Sequence, residues 1–267
     1  MKEKFLALIE KTLDEVLPKV GERPAELSEA MRYAVGTGGK RIRPLICLAS
    51  AVAVGGSAED ARYPAAAIEL LHNYTLVHDD LPAMDNDTER RGKPTVWTKF
   101  GEANAILVGD ALQALAFEAA ANAPRNVAEI VSALGAAGVG VVQGQVEDIA
   151  RACAPGSDVP SVPNVPDVSF IYTHKTADLF VAAATMGGYA GGGDAVSVEK
   201  LRTFALNLGL AFQYEDDLLD GDSPYSREKT EALVRETTAA SIAALAGLPG
   251  DTSFLKALAE KLVGRSV

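Results

Sequence analysis

The chain is poor in the residues that build redox, zinc and aromatic sites: 267 residues include two cysteines, three histidines and one tryptophan. Cys47 and Cys153 stand far apart and lack the close pairing of a metal knuckle, which excludes a disulfide framework and a zinc site. Basic residues are also in deficit, with 25 Lys and Arg against 36 Asp and Glu and a formal charge of −11. So acidic a protein is a poor partner for nucleic acid. No apolar run approaches the roughly 20 residues that cross a bilayer, so no membrane span is expected. The N-terminal Met1-Lys2-Glu3-Lys4-Phe5 leads into a segment interrupted by Glu10, Lys11, Asp14 and Glu15, so no signal peptide is expected. The absences together point to a reduced, soluble, cytoplasmic protein.

Aliphatic residues and alanine are abundant. Hydrophobic residues make up 48% of the chain, enough to bury a sizeable core. Their spacing is helical: Phe5, Leu6, Ile9, Leu13, Val16 and Leu17 recur at three- and four-residue steps. Residues 44–54, 64–78, 102–123, 126–150, 168–190, 197–220, 225–246 and 252–264 also read as helices. Some, such as Ala103–Ala116 and Val131–Val142, are apolar almost all round, as helices in the middle of a bundle are. Sustained two-residue alternation is absent. The expected fold is all-α, a single-domain bundle of about ten helices over residues 1–267. Its breaks fall at glycine-rich turns and at Ala154–Asp167, where four prolines predict a loop.

Acidic residues occur where a core would be expected. The run Leu76-Val77-His78-Asp79-Asp80-Leu81-Pro82-Ala83-Met84-Asp85 sets three Asp in an apolar stretch, and Leu210 to Asp220 does so again. A carboxylate carried toward a core needs a counter-charge. On an ideal helix Gln213, Asp216, Asp217 and Asp220 share an arc of roughly 100°, with Glu215 nearly opposite. Asp79 and Asp85 would lie about 120° apart, but Pro82 should bend the chain and return Asp85 toward Asp79. Oxygen donors without Cys or paired His suit a hard cation such as Mg²⁺, which completes its shell with water and phosphate. Basic points in this acidic chain, Lys40-Arg41-Ile42-Arg43, Arg90-Arg91 and Lys175, suit the phosphate.

These residues resemble the trans-prenyl diphosphate synthase family, in particular its bacterial short-chain farnesyl and geranyl members. The resemblance is carried by Gly38-Gly39-Lys40-Arg41-Ile42-Arg43-Pro44, by His72, and by the first aspartate-rich run leading into Arg90-Arg91-Gly92-Lys93-Pro94-Thr95. It continues through Phe100–Leu112, Gly144-Gln145 with Asp148, His174-Lys175-Thr176, and Phe212-Gln213 to Asp220. It implies an isoprenoid synthase-like bundle around a central cavity, with three Mg²⁺ bridging two aspartate motifs to an allylic diphosphate. Asp79 and Asp85, with Asp80 close by, would hold metal from one wall. Asp216, supported by Asp217 and Asp220, would hold it from the other. Arg90, Lys175 and Gln213 would meet the allylic diphosphate, with Thr176 beside the reacting carbon. Gly39, Lys40, Arg43, His72 and Arg91 would bind isopentenyl diphosphate. A homodimer is implied as well.

Tyr74 and Thr75, about one helical turn before Asp79, are the implied chain-length residues. They favour a C15 product, with C10 or C20 as alternatives; the other reading of Tyr74 is a core aromatic with a bonded hydroxyl. One segment departs from the family pattern. After Asp220 the chain runs Gly221-Asp222-Ser223-Pro224-Tyr225-Ser226-Arg227-Glu228-Lys229, without the Gly-Lys-rich loop of the family. That shortening keeps open a weakly active regulatory subunit. A terpene cyclase is disfavoured because the residues for a second diphosphate are present.

Overall fold

The computed structural model describes residues 1–152, 168–221 and 223–263. Cys153 and the proline-rich segment 154–167 lie outside the described residues. The described chain folds into helices α1 (Lys2–Val16), α2 (Ala25–Gly36), α3 (Ile42–Ala53), α4 (Arg62–Asp79) and α5 (Val96–Phe100), followed by α6 (Glu102–Ala121) and α7 (Val127–Ala152). Then come α8 (Val168–Ile171), α9 (Asp178–Ala190), α10 (Ala195–Asp220), α11 (Arg227–Ala244) and α12 (Ser253–Val263). A π-helical turn, Tyr172–Ala177, joins α8 to α9. The all-α expectation holds, with the short helix α5, a strand pair and helix α2 as additions. A two-residue ladder pairs β1 (Glu89–Arg90) with β2 (Lys93–Pro94). Its turn has Arg91 and Gly92 both at positive φ, the geometry of a two-residue hairpin. Helix α2 was not foreseen, because its buried side chains Ser28, Ala30, Met31, Ala34 and Val35 are mostly too small to make a strong apolar stripe.

One apolar core runs from Phe5 in α1 to Leu262 in α12, and a smaller cluster gathers Ile171, Tyr172, Tyr214 and Val234. Within the main core, α3 and α9 lie side by side and parallel. A methyl on Gly187 would sit 2.0 Å from the Cys47 carbonyl oxygen, and one on Gly191 would sit 2.7 Å from the Ala51 carbonyl oxygen. Glycine is required there because the two backbones touch. Helix α7 runs antiparallel to α9, with Gly140 against Asp178 and Gly144 against the backbone of Lys175. Helix α10 is also antiparallel to α9, with Gly209 against Ala177. Helix α6 is antiparallel to α4, with Gly109 against the ring of His78.

These directions bring the starts of α3, α6 and α9 and the ends of α4, α7 and α10 to one end of the bundle. The segment Val127–Ala150 of α7 is long and apolar enough, by length and composition, to cross a membrane, which corrects the expectation that no stretch reaches that length. One face of it packs into the bundle, while Val139, Val142, Val146 and Ile149 point outward. The seam between α3 and α9 yields a first prediction. Gly187→Ala should cost about 3 kcal/mol and lower the melting temperature by roughly 10 °C, read by thermal denaturation.

Candidate active site

The two acidic motifs close helices. Asp79 is the last residue of α4, and Asp216, Asp217 and Asp220 occupy the final turn of α10. Carboxylates there meet the negative end of a helix dipole, so both motifs call for cations. The basic groups are placed the opposite way. Arg43 is in the first turn of α3, and Lys175 lies in the π turn that leads into α9, where positive charge meets a positive helix end and calls for anions.

In the first motif, the chain after Asp80 turns through Pro82, and the Asp85 amide donates to the Asp79 carbonyl at 2.9 Å. The expected return of Asp85 toward Asp79 is therefore present. Burial pushes the Asp79 carboxyl up to about 6, against the pull of Lys175 and Arg90, and Asp85 adds like-charge repulsion. Asp80 is buried and held by Arg90 Nε at 2.6 Å, and Arg90 also reaches Asp87 at 3.3 Å. Asp80 is thus paired with Arg90. Below Asp79 the buried ring of Tyr74 meets His78 edge to face at 5.1 Å. The Thr75 hydroxyl donates to the His72 carbonyl.

Across from it, the wide π turn presents Lys175 and Thr176. Such turns are frequent at functional sites. Lys175 Nζ meets Asp148 of α7 at 2.5 Å, and the Thr176 hydroxyl donates to Gln213 Oε1 at 2.8 Å. Gln213 Nε2 donates to Asp217 Oδ1 at 2.9 Å, and the Tyr172 hydroxyl donates to Asp217 Oδ2. Asp217 is buried by these partners, Asp216 is half-buried, and Asp220 is exposed. Tyr172 escaped notice in the sequence because nothing in a lone Tyr announces a carboxylate partner 45 residues away.

A third group is basic. Arg41, at positive φ, turns inward to Glu10 at 2.8 Å, Glu69 at 2.7 Å and the Val35 carbonyl at 2.9 Å. Its neighbour Arg43 is left beside His72 at 3.2 Å, and Arg91 reaches the Gly38 carbonyl. Gly39 sits at φ 134°, which a side chain rarely adopts, and the Arg91 guanidinium packs over its open side. Burial lowers the Arg43 pKa to about 10, and burial with nearby Arg43 holds His72 well below the usual imidazole range. Among the described residues Arg43 and Arg91 join no ion pair, and Arg43 Nε and His72 Nδ1 are buried without partners. Two unmatched guanidiniums with spare donors fit an anion. Lys40 is exposed at the rim.

With this geometry in place, comparison with known proteins decides the family. The sequence profile described as Polyprenyl synthetase matches residues 24–253. The chain belongs to the polyprenyl synthetase family. It is 44% identical over 224 residues, 80% of its length, to heterodimeric geranylgeranyl pyrophosphate synthase large subunit 1, chloroplastic, of Arabidopsis thaliana, covering 58% of that protein. It is 43% identical over 221 residues, 79% of its length, to the chloroplastic geranylgeranyl pyrophosphate synthase of Capsicum annuum, covering 57% of it. The chain therefore spans under two thirds of the length of these curated relatives. An FPP/GFPP synthase from Zymomonas mobilis shares its fold with a TM-score of 0.86 at 35% identity, covering 98% of each chain.

Among the described residues, no three acidic or imidazole groups converge closely enough to hold an ion by themselves. An oxygen-only donor set at two helix ends, with the Asp79 anion disfavoured by burial, fits a hard cation that takes further oxygens from a ligand. The raised Asp79 pKa has a sign that can be tested. The folded carboxyl holds its proton more tightly than the unfolded chain does, so stability falls as pH rises from the ordinary carboxylate range through about 6. Metal-free Asp79→Asn should exceed the wild type by about 1–3 kcal/mol at pH 8 and match it near pH 4. Denaturant unfolding at both pH values measures this.

Proposed function

We propose that the protein is a Mg²⁺-dependent prenyl diphosphate synthase that joins isopentenyl diphosphate to an allylic diphosphate and releases pyrophosphate. The observation that carries this reading is the opposed helix ends: carboxylates at the ends of α4 and α10 face Lys and Arg at the starts of α9 and α3. Asp79, Asp85 and Asp216 would hold the metal, which when bound supplies Lewis-acid stabilisation of a pyrophosphate leaving group. Arg90 and Lys175 bind the allylic diphosphate and keep its charge matched as the carbon–oxygen bond weakens. Thr176 and Gln213 present oxygen dipoles to the carbon left electron-poor. Arg43, Arg91 and His72 bind the second diphosphate and orient the isopentenyl double bond toward that carbon.

For the product, the names of the relatives support C20 geranylgeranyl diphosphate over the C15 product that the sequence put first. One observation favours C15, namely the Tyr74 ring buried beneath Asp79. Purified protein with Mg²⁺, isopentenyl diphosphate and dimethylallyl, geranyl or farnesyl diphosphate should yield C20, resolved by chain length. A C15 product that lengthens in Tyr74→Ala would establish the second reading. Saturation with metal that leaves both substrates intact would overturn the synthase assignment.

A homodimer is part of the proposal. It is supported by outward apolar side chains on two helices: Ile106 and Leu107 on α6, and Val139, Val142, Val146 and Ile149 on α7. Val142→Glu combined with Val146→Lys should convert a dimer to monomer in analytical ultracentrifugation. A wild type that sediments as a monomer would remove this part.

A further inference from the structure

We propose that Tyr172 and Asp217 form a positioning relay that fixes the amide of Gln213 and, through it, the hydroxyl of Thr176. The inference rests on the prenyl-transfer reading of the site and assigns two residues within it. Asp217 is buried, and each of its carboxylate oxygens has a donor: Gln213 Nε2 at 2.9 Å on Oδ1, and the Tyr172 hydroxyl on Oδ2. An ionised carboxylate only accepts hydrogen bonds, so it can receive only the NH₂ end of the Gln213 amide. The carbonyl end must then face Thr176, whose hydroxyl proton points to it at 2.8 Å.

The consequence lies at Thr176. With its proton directed to Gln213, the hydroxyl leaves its lone pairs free, and lone pairs are what an electron-poor allylic carbon attracts. If the amide were free to flip, the NH₂ group would face the hydroxyl and draw on those lone pairs. Tyr172 secures the far end of the chain. Its ring also packs edge to face on Tyr214 at 5.5 Å, in the small cluster that includes Val234 of α11. Ring and hydroxyl therefore have separable tasks, the ring in packing and the hydroxyl in the relay. The resemblance counted Asp217 beside the metal; the geometry assigns it to Gln213.

Three measurements test the assignment. Tyr172→Phe, which keeps the ring, should lower kcat by about tenfold to a hundredfold while KM for both substrates stays within twofold. Tyr214→Phe, a buried neighbour in the same cluster, should leave kcat unchanged. In a Thr176→Val background Tyr172→Phe should cost nothing more, because residues acting as one unit are not additive. In metal-free protein labelled with ¹⁵N-glutamine, the Gln213 side-chain amide signals should shift in Tyr172→Phe and stay in place in Tyr214→Phe.

Wild-type kcat in Tyr172→Phe, fully multiplicative effects in the double variant, or unmoved amide signals would each overturn the relay. An inactive wild type would overturn the synthase reading alone. The relay would then stand or fall on the amide signals.

Discussion

The buried guanidinium of Arg41 ties three parts of the apolar core together at one polar point. Glu10 comes from α1, Glu69 from α4 and the Val35 carbonyl from α2, and Arg41 itself opens α3 in a left-handed conformation. An ion pair as buried as Arg41–Glu69 is strongly destabilising to break, because the surviving charge has no water to turn to. The arrangement of the Gly38–Arg43 turn follows from it. With Arg41 inward, Arg43 falls beside His72, and the open side of Gly39 admits Arg91. Arg91 belongs to the hairpin whose first strand holds Arg90 against Asp80. One desolvated charge thus orders the Arg43–His72 cluster and, through the hairpin, the Arg90–Asp80 pair.

Charge placement also separates the residues of the acidic motifs. Among the described residues no basic or neutral donor bonds the Asp79 carboxylate, and burial, with like-charged Asp85 and Asp80 adding to it, makes its anion unfavourable. Asp80 and Asp217 look equivalent to their neighbours in sequence, yet one is matched by Arg90 and the other by Tyr172 and Gln213.

Most of the fold could be read from the chain, because long helices with strong apolar periodicity leave little choice. Helices α1, α3, α4, α6, α7, α10, α11 and α12 begin and end within a few residues of their expected limits, while the expected 168–190 helix is divided into α8, the π turn and α9. Helix α2 was missed because alanine, serine and glycine bury little and signal little. The hairpin was missed because a two-residue ladder has no room to show alternation. In the site, Pro82 announced the return of Asp85, and the helical arc of Gln213, Asp216 and Asp217 followed from spacing alone. The inward turn of Arg41 could not be read, since Lys40-Arg41-Ile42-Arg43 looks like a uniform basic patch until positive φ at Arg41 separates its members. The pairing of Tyr172 with Asp217 depends on two distant segments packing together, and no local pattern reports that.

The glycine seam between α3 and α9 has a bearing on precision. Each helix carries a cation near its start: Arg43 on α3, and Lys175 on the turn leading into α9. The helices are parallel and meet backbone to backbone at Gly187 and Gly191, where no α9 side chain separates them. The seam acts as a gauge block. Repacking elsewhere in the bundle can shift other helices, but at this seam the separation of α3 and α9 is set by van der Waals contact of peptide groups in a close-packed interior of low compressibility.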